Sequence, residues 1–214
     1  HMPVPARDLA DWHFRAGAVD RLIPPWEDVE ILERPGAMAD GAVARFRMRK
    51  FGIGIEWVAR HHDVQPGRSF SDTQERGPFR SWVHRHSFLP DGDAASMLED
   101  RVAYELPGGI LGRAFGGGMA ARDIERMFAW RHARTRHDLQ HHAAFPGERL
   151  RVAVSGANGL VGGSLVPFLS TGGHDVRRIV RGAPDRARGD VAWDTRTDAF
   201  DAGALEGLHA VVHL

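Results

Sequence analysis

The chain has no cysteine. Disulfides and thiolate zinc sites are therefore excluded, and the composition suits a reducing cytoplasm. Lysine is almost missing as well. Lys50 is the single lysine among 28 Lys and Arg residues, a skew that reads as genome composition rather than function. Tyrosine occurs once, at Tyr104. Charge leans to neither sign: 28 basic and 28 acidic residues give a formal net charge of zero. Nothing global draws the chain to nucleic acid or to an anionic membrane. No apolar run approaches the ~20 residues of a membrane span, and no secretory signal segment is present. What is there is globular, with 43% hydrophobic and 26% charged residues, enough for a real core. A length of 214 residues suits one or two domains. The opening His1-Met2 reads as an expression-tag remnant, so residue 1 is set aside.

Periodicity divides the chain. Residues 3–26 show helical spacing through Trp12, Phe14, Ala18, Leu22 and Ile23, ended by Pro24-Pro25. From about Val29 to Leu106 the period is two, with strands expected near 43–50, 54–64, 68–75, 81–89 and 96–106. Turn signals at Gly36, Gly41, Pro66-Gly67, Gly77-Pro78 and Pro90-Asp91-Gly92 separate them, which describes an antiparallel meander. Pro107 to Gly118 reads as a glycine-rich loop. A long helix is expected from about Ala120 to His142, with Ile124, Met127, Phe128, Thr135 and Leu139 on one face and Arg131 in its middle. Residues 143–148 read as a linker. The expected fold for residues 3–145 is an α+β helix-grip domain, an antiparallel sheet wrapped on a long C-terminal helix. An α+β sandwich with a solid core is the alternative.

Strand parity suggests a pocket in this domain. Trp82, His84, His86 and Phe88 share a face, as do Ile55, Trp57, Ala59 and His61, and Leu98, Asp100, Val102, Tyr104 and Leu106. Turned inward, Trp57, Trp82, His84, His86, Asp100 and Tyr104 line a ligand pocket, with Arg131 as the partner of Asp100. The bland alternative is a structural ion pair in a filled core. His84-x-His86 also resembles a pair of metal ligands, but no third ligand is evident and no metal is assigned.

The last third carries a different signal. Arg151 to Ser155 reads as a buried strand, followed by Gly156-Ala157-Asn158-Gly159-Leu160-Val161-Gly162 and a helix opening at Leu160. Glycines in that turn let backbone approach a pyrophosphate, which the free N–H groups and helix dipole attract. Gly156, Asn158, Gly159, Leu160, Val161 and Gly162 are the candidate cofactor-binding residues. Arg181, where the second strand ends, suits the 2′-phosphate of NADP better than the ribose hydroxyl of NAD. A tight strand–helix turn without a ligand is the alternative. Residues 149–214 thus read as the N-terminal portion of an NAD(P)-binding Rossmann domain, a partial α/β unit.

Two sets of residues carry a family resemblance. Trp12 to Glu27, Gly77-Pro78-Phe79, Ser81 to His86 and Leu98 to Arg101 resemble the SRPBCC (START/Bet v 1-like) domain. Ser155 to Gly162, Gly172 to His174, Val180-Arg181 and Val211 to Leu214 resemble extended short-chain dehydrogenases of the NAD(P)-dependent, nucleoside-diphosphate-sugar epimerase type, to which such a domain is found fused. The resemblance implies that Asp194 and Leu214 stand beside the adenine and ribose. It also implies a Tyr-x-x-x-Lys pair for general acid–base catalysis. Here Tyr104 is followed four residues later by Gly108, so the chain as it stands is not catalytically competent by that route and offers no catalytic residue.

The expectation is therefore a fragment of an NAD(P)-dependent epimerase-like enzyme with an N-terminal hydrophobic-ligand-binding domain. The rival is a non-enzymatic binding module for an apolar or amphipathic small molecule. A third idea is homo-oligomerisation through the exposed edge of the incomplete sheet.

Overall fold

The computed structural model describes residues 1–214 except 51 and 198, and all side chains except those of 111, 113, 115 and 187 as well. Two compact units result: His1–Phe14 with Leu22–Gln140, and Arg15–Arg21 with His141–Leu214.

In the first unit the chain opens with α1 (Ala6–Phe14). Its apolar stripe is Leu9, Ala10 and Trp12, all at most 1% exposed. The helical pattern expected to run on to residue 23 is interrupted at residues 15–17, leaving only a short α2 (Ala18–Arg21), which belongs to the second unit. Six strands follow: β1 (Asp28–Glu33), β2 (Val43–Lys50), β3 (Ile53–Gln65), β4 (Ser69–Arg76), β5 (Ser81–Pro90) and β6 (Ser96–Glu105). They form one antiparallel meander in sequence order. The register pairs His84 with Asp72 on one side and Val102 on the other, and His86 with Phe70 and Asp100. Strand β5 alternates cleanly: Trp82, His84, His86 and Phe88 are buried, while Val83 and Arg85 between them face out. The parity expected for this strand holds. β3 bulges near Asp63, which adopts φ 52° where the pairing with β4 shifts.

The long helix α3 (Gly109–Ala144) starts well before the expected position near 120. The glycine-rich stretch is thus helix, not loop. Gly112 passes so near Pro107 that a Cβ there would stand 1.9 Å from the Pro107 carbonyl oxygen, so a small residue is a packing need rather than a loop signal. Thr135 and Leu139 are buried on α3, as expected, and Asp138 is buried beside them. An antiparallel sheet with one long helix fits the helix-grip fold. No helix among the described residues is long and apolar enough to cross a membrane.

The second unit holds β7 (Arg151–Ser155), α4 (Gly162–Thr171), β8 (Asp175–Val180), β9 (Asp190–Asp194), β10 (Ala199–Phe200) and β11 (Ala210–Val212). The strands lie in the order β10-β9-β8-β7-β11. β8, β7 and β11 run parallel, as do β9 and β8, and β10 closes the far edge antiparallel. Every residue of β7 after Arg151 is buried, as a central parallel strand covered on both faces requires. Val152, Val154 and Ala157 form the core with Leu165, Val166, Leu169, Val176 and Val212. A single 3-10 turn spans Ala202–Leu205, and α4 begins at Gly162 rather than the expected Leu160.

Candidate functional site

Two places concentrate chemistry, one in each unit. In the first unit the pairing of β4, β5 and β6 stacks Asp72, His84, His86 and Asp100 on the buried face of the sheet. His84 Nε2 lies 3.0 Å from Asp100 Oδ1, and His84 Nδ1 lies 3.3 Å from Asp72 Oδ2. His86 repeats the arrangement: Nδ1 stands 2.8 Å from Asp100 Oδ1, out of line for a hydrogen bond, and Nε2 stands 3.8 Å from Asp72 Oδ2. From α3, His132 Nε2 reaches Asp100 Oδ2 at 2.5 Å. Phe70 stacks on the His86 ring at 4.2 Å, and Phe128 meets His84 edge-on at 5.0 Å. His13 of α1 completes the surround, its ring 6.0 Å from His86 and its Nδ1 2.9 Å from the Leu9 carbonyl.

Electrostatics follow from that packing. Burial pushes Asp100 up, but the His86 charge and the hydrogen bonds with His132 and His84 outweigh it and hold the carboxyl well below its usual range. Asp72 behaves alike: burial raises it, and His84, with the charges of His86 and His61, brings it down. Burial lowers His84, but Asp100 and Asp72 raise it above the ordinary imidazole value. Burial and the neighbouring His84 charge hold His86 down. His13, desolvated and repelled by His86, is pushed down to about 3.

The expected pocket residues divide into two groups. His84, His86 and Asp100 are brought together in this cluster. Trp57, Trp82 and Tyr104 lie together in an aromatic group around Phe79, with Trp57 and Trp82 rings 5.2 Å apart and Phe79 and Tyr104 rings 5.5 Å apart. Trp82 joins the groups through an edge contact to His84 at 6.3 Å. Arg131 corrects the expectation. Its Nε donates to the Leu22 carbonyl at 3.0 Å and its guanidinium lies over Phe128, so the partner of Asp100 on α3 is the next residue, His132. Burial lowers the Arg131 pKa against the opposing pull of Asp100, Asp72 and Glu27. Sequence reasoning missed Asp72, His132 and His13. The first two were findable: Asp72 shares strand parity with Phe70, and His132 follows Phe128 by one helical turn. Asp72 is a third side chain that could offer a donor atom beside His84 and His86. One ligand atom from each of Asp72, His84 and His86 falls within 4.8 Å of the others.

In the second unit a cleft of about 680 Å³ is lined by residues 155–162, Ile179 to Arg181, Trp193, Thr195, His213 and Leu214. Gly156 has φ +63°, and a Cβ there would meet the Leu214 carbonyl oxygen at 2.7 Å. A Cβ on Gly162 would stand 2.3 Å from the Gly156 carbonyl oxygen. The turn is tied by Gly159 N–H donating to that same carbonyl at 2.8 Å. Leu160 and Val161 are exposed at the helix start. Asn158 is held from below: its Oδ1 accepts from Arg178, whose guanidinium lies 3.2 Å from Asp190 in a buried pair. Arg181 is exposed and also borders a smaller cleft of about 370 Å³ with Asp194 and Arg196. Asp194 is spent locally, accepting from the Arg196 amide at 2.9 Å. Hydrogen bonds from the Arg196 amide and from the Thr197 side chain and amide hold its pKa low. Ser155 Oγ is 2.7 Å from His213 Nδ1 and accepts from the Leu214 amide, which fixes the wall opposite the glycine turn.

Comparisons with known proteins meet this geometry. Residues 2–132 match the family described as polyketide cyclase / dehydrase and lipid transport. The crystal structure of a nucleoside-diphosphate sugar epimerase from Corynebacterium glutamicum is 32% identical and matches all of this chain at a TM-score of 0.78, over 44% of its own length. An epimerase family protein of Mycobacterium leprae is 36% identical over 63 residues, 29% of this chain and 20% of that protein. The chain therefore spans less than half the length of these relatives. Ara h 8.0201, at 14% identity and a TM-score of 0.50 over 65% of this chain and 93% of its own, shares the fold alone.

Proposed function

The chain belongs to the polyketide cyclase / dehydrase and lipid transport family, and from that premise we propose that its first unit binds a small apolar or amphipathic molecule while its second forms the opening of an NAD(P)-binding Rossmann domain of an epimerase-like, short-chain-dehydrogenase-type enzyme. The observation that carries the second half is the placement of the cleft. Its lining follows the carboxyl ends of β7, β8, β9 and β11, and the order β9-β8-β7-β11 puts the reversal of strand order beside β7. Open α/β sheets bind ligands at that point. The names of the Corynebacterium and Mycobacterium relatives support the epimerase-like reading.

The residues fit a dinucleotide. Gly156 and Gly162 keep the turn tight, since a Cβ on either would strike backbone at Leu214 or Gly156, and the turn leads straight into the N-terminus of α4. Gly156, Gly159, Leu160, Val161 and Gly162 would hold the pyrophosphate, with Asn158 braced by Arg178. Arg181 would hold the 2′-phosphate of NADP, with Asp194 and Leu214 bordering the adenosine end. When bound, the dinucleotide supplies the redox step; this stretch supplies binding and orientation, and its one tyrosine lacks a lysine four residues on. The test is a thermal-shift and tryptophan-fluorescence titration with NADPH and NADH, Trp193 being in the cleft. NADPH should stabilise more than NADH, and Arg181→Asp should cut the NADPH preference by about tenfold. No shift with either nucleotide overturns the reading. Apart from residues 15–21, the family match lies in the first unit, which favours a second reading as a binding module. Stabilisation by an apolar probe alone would select it.

A further inference from the structure

We infer that Asp72, His84 and His86 form a binding site for a zinc-like divalent transition metal, with Asp100 as the carboxylate that orients both imidazoles. The argument starts from which nitrogen faces which acid. His84 turns Nδ1 to Asp72 and Nε2 to Asp100; His86 turns Nε2 to Asp72 and Nδ1 to Asp100. Each ring thus stands between two carboxylates, one nitrogen toward each. That is the arrangement of a metal-ligating histidine, which offers one nitrogen to the ion and donates the other N–H to an acid.

The distances separate the two acids. Asp100 lies 3.0 and 2.8 Å from the imidazole nitrogens, a hydrogen-bonding range. Asp72 lies 3.3 and 3.8 Å away, long for N–H···O bonds. A tetrahedral ion with bonds of about 2.0–2.1 Å separates its ligand atoms by about 3.3 Å; the His84–Asp72 distance matches that spacing, and the three ligand atoms, within 4.8 Å of one another, stand slightly open around it. A second observation is independent of spacing. His86 Nδ1 is a buried atom without a hydrogen-bond partner among the described residues, although it faces Asp100. A metal on Nε2 would put the proton on Nδ1, the side of the ring that faces Asp100. The site is enclosed, with side-chain exposure of 4% for His84, 10% for His86 and 13% for Asp72, unlike a solvated cluster of surface acids. His132 on Asp100 Oδ2 extends the support to α3. Three protein ligands leave a fourth position for water or for a donor atom of a bound small molecule.

The test uses the full chain, freed of metal by chelator and titrated with Co²⁺ alone. The expected result is one tight equivalent with the intense visible absorption of four-coordinate cobalt. Asp72→Asn, which keeps the side-chain shape, should remove the tight equivalent. Asp100→Asn should weaken it by about 10–100-fold. X-ray absorption on the cobalt-loaded wild-type chain should find two imidazoles and a carboxylate, and this measurement requires no variant to fold. Absence of tight binding, or a six-coordinate spectrum that Asp72→Asn leaves unchanged, overturns the assignment. Neither nucleotide nor apolar-probe binding enters the readout, so failure here is distinct from failure of the functional reading.

Discussion

In the first unit, Asp72, His84, His86 and Asp100 put four ionisable side chains where little water reaches. In the second, the floor of the cleft is Gly156, Ala157, Gly159 and Gly162, residues with almost no side chain. One region works by charges that must be matched in pairs. The other works by backbone that must be left bare. The first kind fails when a partner is removed, because the remaining charge is stranded. The second fails when an atom is added, because the space is already occupied by backbone.

The largest expected effect sharpens this contrast. Asp100→Asn strands the imidazoles of His84, His86 and His132 and should cost the first unit about 3–5 kcal/mol. Urea unfolding in a Trp193→Phe background reads it, because the other tryptophans all lie in the first unit. Loss below about 1 kcal/mol would break the comparison, since the cluster would then not depend on its pairing. Next comes Gly162→Ala, expected to cost the second unit about 2–3 kcal/mol by forcing a Cβ onto the Gly156 carbonyl. Trp193 fluorescence reads it, and an unchanged unfolding midpoint would show that the turn yields freely.

The third prediction concerns pH. His13 is neutral in the fold down to about 3, whereas the unfolded chain takes up a proton near 6.5. The unfolded state therefore binds more protons in between, and stability falls as pH drops from about 6.5 toward 3. The slope is about 1.4 kcal/mol per pH unit from this group. His86, also lowered, acts in the same direction. Below the ordinary carboxylate value Asp72 and Asp100 add to it, as both are held low in the fold. His84 is raised, so its contribution is full at low pH and fades as pH rises through its folded value. His13→Gln should flatten the slope between pH 6 and 4.5, measured by denaturation midpoints; an unaltered slope refutes the assignment. The smallest effect is at the surface. Arg47 and Glu30 pair at 3.0 Å with both side chains about half exposed, and Arg47→Ala should cost about 0.5 kcal/mol or less. A loss above 1 kcal/mol there would mean that exposed pairs of this sheet rival the buried cluster.

The legible parts had local causes. β5 announced its buried face because Trp82, His84, His86 and Phe88 alternate with outward residues. The turn after β7 announced itself because its glycines follow a short strand with the apolar centre Val152-Ala153-Val154. The helix over 109–119 was illegible because glycine normally marks loops, while here Gly112 serves close packing against Pro107. Arg131 was read as the acid's partner because a charge on an apolar helix face demands an explanation. Its neighbour His132 is the one whose nitrogen reaches Asp100.

From sequence alone follow the antiparallel meander, the long helix, the strand–glycine–helix start of the second unit, and the inward set of His84, His86 and Asp100. These depend on period and on residues adjacent along the chain, which any reader of the string can count. Which acid stands on which side of each imidazole was decided only in three dimensions. Register between β4, β5 and β6 sets it, through contacts between residues 12 to 16 apart along the chain. A slip of one residue would turn Asp72 to the opposite face of the sheet. The same reason holds for the cleft, whose far wall at His213 and Leu214 meets Ser155 only because β11 pairs with β7.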